Sequence, residues 1–355
     1  MRCRSAIPRV MCQTLLVSCA ALTQVSRSQQ PQAVQTPAQG FHLIAKYTIG
    51  GDGGWDYLSA DSIARRLYIA RSNRVIVFDI DKGVVTGEVP NTNGVHGVAV
   101  ANDLGRGFAS CGQDGKVVIF DLKTLKLLGE VKTGTNPDAI IYDLSTSRVF
   151  AFNGGSSDVT AIDAAKGTVA GTLPLGGKPE FAASDGRGTV YVNIENKNEV
   201  VSFDSKKLSV KARWPIGPGE DPSGLAMDRE HRRLFIGCGN KKMVVMNADS
   251  GQVIASLPIG DGVDANGYDS ASELAFSSNG DGTLTVVHED SPDKFTVVET
   301  VKTERGARTM TIDSKKHTVI LVTADFTAPP PATRDRPNPR PSIAPGTFRV
   351  LVFGR

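Results

Sequence analysis

The sequence predicts an all-β fold, a seven-bladed β-propeller of four-stranded antiparallel blades. Three observations predict it. Similar segments recur about every 42 residues from Asp56 to Arg308. Each segment holds short apolar runs separated by Gly, Asn and Asp turns. The final repeat is one strand short, while a spare strand precedes the first repeat.

The chain opens with a leader. Residues 1–28 carry Arg2, Arg4, Arg9 and Arg27 and no acid. The mostly apolar stretch from Val10 to Leu22 is too short to span a bilayer as a helix. This is the pattern of a signal peptide, so a bacterial periplasmic or secreted location is expected. Two processing routes stay open. Ser18-Cys19-Ala20 offers small residues to a signal peptidase. Leu16-Val17-Ser18-Cys19 resembles a lipobox, which would attach a lipid at Cys19 and make the membrane a partner. Residues 29–40, rich in Gln, Pro and Ala, read as a disordered spacer. One propeller is expected over residues 41–355, acting as a monomer.

Charge and cysteine content narrow the field. The formal charge is +3, and the four leader arginines supply more than that. The mature chain is near neutral, with no overall field to attract nucleic acid. Beyond the leader only Cys111 and Cys238 remain. The repeats set them three blades apart, so two free, partly buried thiols are expected.

Within each repeat the first strand ends near an Asp, as at Asp61, Asp143, Asp228 and Asp313. The second strand follows a polar turn: Arg66-Leu67-Tyr68-Ile69, Arg148-Val149-Phe150-Ala151, Arg233-Leu234-Phe235-Ile236. Tight turns such as Asp114-Gly115 lead to a third strand of the Val75-Ile76-Val77-Phe78-Asp79 type. A fourth strand, such as Val84 to Val89, forms the outer edge. A lone blade cannot bury both its faces, whereas a ring of blades does. The seventh repeat has three strands, so the segment Phe41–Ile49 is expected to complete it and close the ring. Residues 329–345 hold seven of the 19 prolines, with Arg334, Arg336 and Arg340. No ladder accommodates that, so a surface loop over about 325–346 is expected, either a solvated insertion or a partner-binding arm.

The repeats resemble the YncE-like, or YVTN-type, propeller family of exported bacterial proteins. The likeness covers about residues 41–355. It rests on the period, the Arg-Leu-Tyr-Ile and Val-Phe-Asp patterns, and phrases such as Asn93-Gly94-Val95-His96-Gly97 and Leu257-Pro258-Ile259-Gly260-Asp261-Gly262-Val263-Asp264. The resemblance implies the fold strongly and an activity weakly. It brings lactonases and quinone-dependent dehydrogenases into view as enzymes on similar propellers.

Topology picks out one face. The start of each first strand should ring the channel mouth, gathering Asp56, His96, Asp138, Glu180, Ser223, Asp264 and Arg308. The turns bearing Cys111, Asn153, Asn193, Cys238, Asn240 and Asn279 should lie outside that ring. Asp56, His96, Asp138, Glu180, Asp264 and Arg308 are the candidate ligand-binding residues. His96, Asp138 and Glu180 could hold a divalent Zn, Mn or Fe ion, or serve as acid and base. The competing reading is structural, with these groups tying neighbouring blades together. Arg308 is read as a counter-ion or an anion hook. His231 and His317 are expected in solvated turns on the opposite face, and His288 in an exposed turn. No haem, P-loop, GxSxG or HExxH motif is present. A spread ring favours a binding or scaffold module for a protein, peptide or small polar ligand. The alternative is a lactonase-like hydrolase or a metal-dependent enzyme at the mouth.

Overall fold

The computed structural model describes residues 40–331, 339 and 341–355. The expected signal peptide, Cys19, the spacer up to residue 39 and part of the proline-rich loop lie outside the described residues.

The apolar runs form four short strands per blade. In the third blade these are Pro137–Asp143, Arg148–Asn153, Asp158–Asp163 and Thr168–Pro174, paired antiparallel in chain order. Six sheets follow this plan. The second and third strands are buried on both faces, since a neighbouring blade lies on each side. The outermost strand is largely exposed. Among the described residues, helical structure is limited to two short turns, Asn102–Leu104 and Glu195–Lys197.

The seventh sheet runs His42–Thr48, Arg349–Gly354, Thr318–Thr323, Met310–Asp313. The N-terminal strand therefore closes the ring, with His42 opposite Gly354 and Thr48 opposite Arg349. The paired segment is slightly shorter than Phe41–Ile49, because Phe41 leaves the ladder. Its ring, 6% exposed, meets Phe276 of the sixth blade edge-on at 5.3 Å, and its N–H donates to Glu299. On the other side Tyr47 lies 5.6 Å from Phe78 of the first blade. One strand thus touches three consecutive blades.

Neighbouring blades share apolar cores. Phe150 of the third and Phe203 of the fourth meet at 5.5 Å. The arginines that open the second strands add a recurring polar latch. Arg106 donates to the carbonyls of Ala164 and Ala165, and Arg148 to those of Ser205 and Lys206. Arg66 reaches Leu122 and Arg233 reaches Pro292 in the same way. Each bond is charge-assisted and ties one blade to a turn of the next. The Asp that ends a third strand caps its own turn: Asp79 accepts from the N–H groups of Asp81 and Lys82, and Asp204 from those of Lys206 and Lys207.

The base of the proline-rich loop is pinned. Phe326 bridges Ile343, and its ring lies 6.1 Å from that of Trp55. Cys111 and Cys238 are free and buried, and burial pushes both thiols up to about 12.

Ring closure makes a direct prediction. Phe41→Ala should cost about 3–5 kcal/mol, the usual loss for a buried Phe. A chain beginning at residue 50 should lose more, because the edge Arg349–Gly354 is then bare. Thermal or urea unfolding measures both, and a truncated chain that melts with the parent would refute closure by this strand.

Candidate functional site

The mouth residues lie at the start of the innermost strands: His96, Asp138, Glu180, Ser223 and Asp264 are the second residues of theirs, and Asp56 and Arg308 lie two residues before Leu58–Asp61 and Met310–Asp313. Side chains from the second strands hold these positions. The Ser110 hydroxyl donates to the carbonyl of Asp138, the Asn193 amide to those of Ser223 and Gly224, and the Ser278 hydroxyl to that of Arg308. Between the first two blades, the Tyr57 N–H donates to the His96 carbonyl. The ring of mouth residues is thus anchored through its backbone, blade to blade.

His96 lies at the centre of the cluster. Its Nδ1 sits 2.6 Å from Asp56 Oδ2 and 3.5 Å from Asp138 Oδ1. A Cβ at Gly112 would come within 2.6 Å of His96 Nε2, so glycine is needed there for the ring to lie flat against the turn. Burial disfavours the imidazolium. The Asp56 hydrogen bond and the charges of Asp138 and Asp56 outweigh it and raise the His96 pKa to about 9. His96 is therefore charged at neutral pH, clamped between two carboxylates.

The remaining residues form two flanking groups. Arg308 donates to Asp264 at 2.9 Å, and Ser223 also donates to Asp264. Glu180 faces Lys178 at 2.7 Å, and Lys178 is shared with Glu195 at 2.5 Å. Burial raises the carboxyls of Asp56, Asp138 and Asp264, offset in part by His96 for the first two and by Arg308 for the third. Burial and the Asp138 charge push Glu180 up to about 7, against the pull of Lys178. Glu180 can therefore give or take a proton near neutral pH.

All six candidate residues thus gather at the mouth, but not in the expected ligand set. The three donors that converge within 4.8 Å of one another are Asp56, His96 and Asp138, while Glu180 turns to Lys178. A cation held by Asp56, His96 and Asp138 would have to displace the His96 proton.

Sequence reasoning missed Tyr57, Lys178 and Phe181. The Tyr57 ring meets Phe181 at 4.3 Å across the channel, and its hydroxyl helps to hold Asp138 ionised. Both aromatics directly follow a charged mouth residue, in Asp56-Tyr57 and Glu180-Phe181. The outer asparagines need correction. Asn153, Asn193 and Asn279 are buried and bonded internally, Asn153 to Asp158 and Thr160, and Asn279 to Thr283 and Thr285. They brace the blades and present nothing to a ligand. On the opposite face His317 pairs with Asp269, and His231 is drawn against two buried carboxylates instead of lying free in solvent. His288 is half-buried within the strand Thr283–Ser291, paired with Leu274 and Thr296 and not in an exposed turn, and its Nδ1 lies 2.8 Å from Asp290 Oδ1.

No family model matches the chain. The uncharacterized protein YncE of Escherichia coli K12 is 25% identical over 153 residues, 40% of this chain and 43% of that protein. Its counterpart in Escherichia coli O157:H7 is 24% identical over the same length. The match thus spans less than half the length of these curated relatives. Solved propellers superpose across nearly the whole chain. A chain in the crystal structure of the mitotic checkpoint complex gives a TM-score of 0.71 at 16% identity, covering 96% of this chain and 99% of that one. The structure of U3-55K gives 0.70 at 9% identity, covering 88% and 98%. At these identities the likeness is one of fold.

The His96 clamp predicts a pH dependence. A histidine whose pKa rises from 6.5 to about 9 on folding contributes stability that is full below 6.5 and is lost as pH rises through about 9. Asp56→Asn should lower the His96 pKa, read by NMR titration of the imidazole. It should also flatten the fall in melting temperature between pH 6.5 and 9. An unchanged titration curve would sever His96 from Asp56.

Proposed function

We propose that this chain is a binding propeller whose channel mouth holds a polar ligand or peptide carrying an amine. The carrying observation is the local charge balance. Asp56, Asp138, Glu180, Glu195 and Asp264 face three cations, His96, Lys178 and Arg308, each already in contact with at least one of these acids. An added ammonium group has carboxylate oxygens to meet among partly buried side chains, where such contacts are strongest. The Tyr57 and Phe181 rings supply an apolar wall beside it. A chain of this fold belongs to the mitotic checkpoint complex, which is in keeping with a propeller face that docks partners.

A second reading is hydrolysis at the same mouth, of the lactonase kind. What favours it is Glu180, whose proton exchanges near pH 7. In that case lactone turnover would follow the titration of Glu180 and vanish in Glu180→Gln. We also propose export to the periplasm or beyond. The arginine-led apolar leader supports this, with lipidation at Cys19 as the anchored form. Mass spectrometry of the mature N-terminus separates the two.

The binding reading predicts that putrescine or a lysine-bearing tripeptide raises the melting temperature of the parent at pH 7 and low salt, and that added salt weakens the effect. The triple variant His96→Ala, Asp138→Asn, Glu180→Gln should lose that shift while remaining folded. Equal shifts in both proteins would place the binding elsewhere.

A further inference from the structure

The face opposite the mouth carries a second mixed cluster, at the joint between the fifth and sixth blades. On this face each blade turns from its first strand to its second, and in every blade but the second that turn holds a buried acid. In four joints that acid takes a donor from the following blade. Asp143 accepts from Ser184 at 2.6 Å, Asp185 pairs with Arg232 at 3.1 Å, Asp269 with His317 at 3.0 Å and Asp313 with Arg65 at 2.6 Å. Arg65, Arg232 and His317 occupy one repeat position, marked by left-handed backbone with φ of 59°, 61° and 54°.

Between the fifth and sixth blades that position is Glu273, also left-handed at φ 54°. A carboxylate stands where three of the other blades have a cation and the remaining three have Gly105, Ser147 and Gly188. Asp228, 2% exposed, receives nothing from it. Its oxygens accept the turn N–H groups of Glu230 and His231. A third acid enters from the third strand of the sixth blade, Thr283–Ser291. Glu289 is also 2% exposed, and its Oε2 accepts from the Tyr268 hydroxyl at 2.9 Å.

Three side-chain atoms converge. His231 Nδ1 lies 2.8 Å from Asp228 Oδ2 and 3.3 Å from Glu289 Oε1. Yet Nδ1 and Oε1 are both buried atoms without a hydrogen-bond partner, so the contacts are not aligned for a shared proton. Arg233, the nearest cation on the strand, spends its N–H groups on Pro292, His231, Arg232 and Asp293 and leaves Oε1 without a donor. Three ligand-type atoms facing one point, two of them without any hydrogen-bond partner, suit a metal ion better than a proton.

We propose that Asp228, His231 and Glu289 form a divalent-cation site, best suited to zinc, that clamps the fifth blade to the sixth in place of the missing arginine or histidine. One nitrogen and two carboxylate oxygens are a zinc donor set, and tetrahedral donors at zinc distances lie about 3.4 Å apart. The Nδ1 to Oε1 distance already matches. The Nδ1 to Oδ2 distance opens to it through a small turn of His231, whose side chain is 32% exposed.

The test uses the full chain, stripped with a chelator and re-equilibrated with zinc sulfate, with bound zinc counted by atomic emission. The parent should hold one zinc that survives the mouth variant His96→Ala, Asp138→Asn. It should be lost in Glu289→Gln and in His231→Gln, together with the rise in melting temperature that zinc produces in the parent. Should Glu289→Gln fold poorly, His231→Gln, at a partly exposed position, decides the matter. A parent that takes up no zinc, or a His231→Gln protein that retains the parent's zinc, would overturn the proposal.

Discussion

The whole molecule depends on the pairing of His42–Thr48 with Arg349–Gly354. A twisted four-stranded sheet has two apolar faces and two edges, and a ring of seven such sheets covers the faces only if the last sheet is complete. The N-terminal strand supplies the missing edge. It also inserts Phe41 toward the sixth blade and Tyr47 toward the first. Every inter-blade core and every arginine latch then works in a closed body, where no joint can open without straining the others.

That closure is what makes the channel mouth a defined place. The residues there do not belong to one loop. They sit at the same step of seven separate sheets, and side-chain bonds from Ser110, Asn193 and Ser278 to their carbonyls fix their level. Charge can therefore be concentrated in a partly buried ring without the backbone yielding. His96 is the result: its imidazolium is kept by Asp56 and Asp138 although burial opposes it. Structural and functional readings of the ring meet here. Clamping His96 ties the first three blades, and the same clamp leaves acid oxygens facing the channel.

The fold was legible because repetition multiplies a weak signal. One Val-Phe-Asp strand means little, whereas the same step taken six times from Asp56 to Arg308 leaves few alternatives. The members of the mouth ring were legible by the same count. Their partners were not. Glu180 turned to Lys178, two residues away in sequence, because a side chain's aim depends on rotamer and neighbour and not on period. Asn153 and Asn279 read as turn residues, yet their amides cross-link their own hairpins from within. His231 looked solvated because the acid that captures it, Glu289, comes from another blade and lies outside the shared pattern. Repeats reveal what every blade has in common; departures from them emerge only when the blades are placed side by side.

The closing strand also sets an order of events. His42 and Gly354 are partners roughly 310 residues apart in the chain. The strand His42–Thr48 must therefore wait for Arg349–Gly354 before the ring can shut. Until then the nascent protein is an open arc with a raw edge at each end, and such long-range pairing is slow to form. A polypeptide built this way gains little by folding early. Its last joint forms only once Arg349–Gly354 is in place, so ring closure is a late, long-range event.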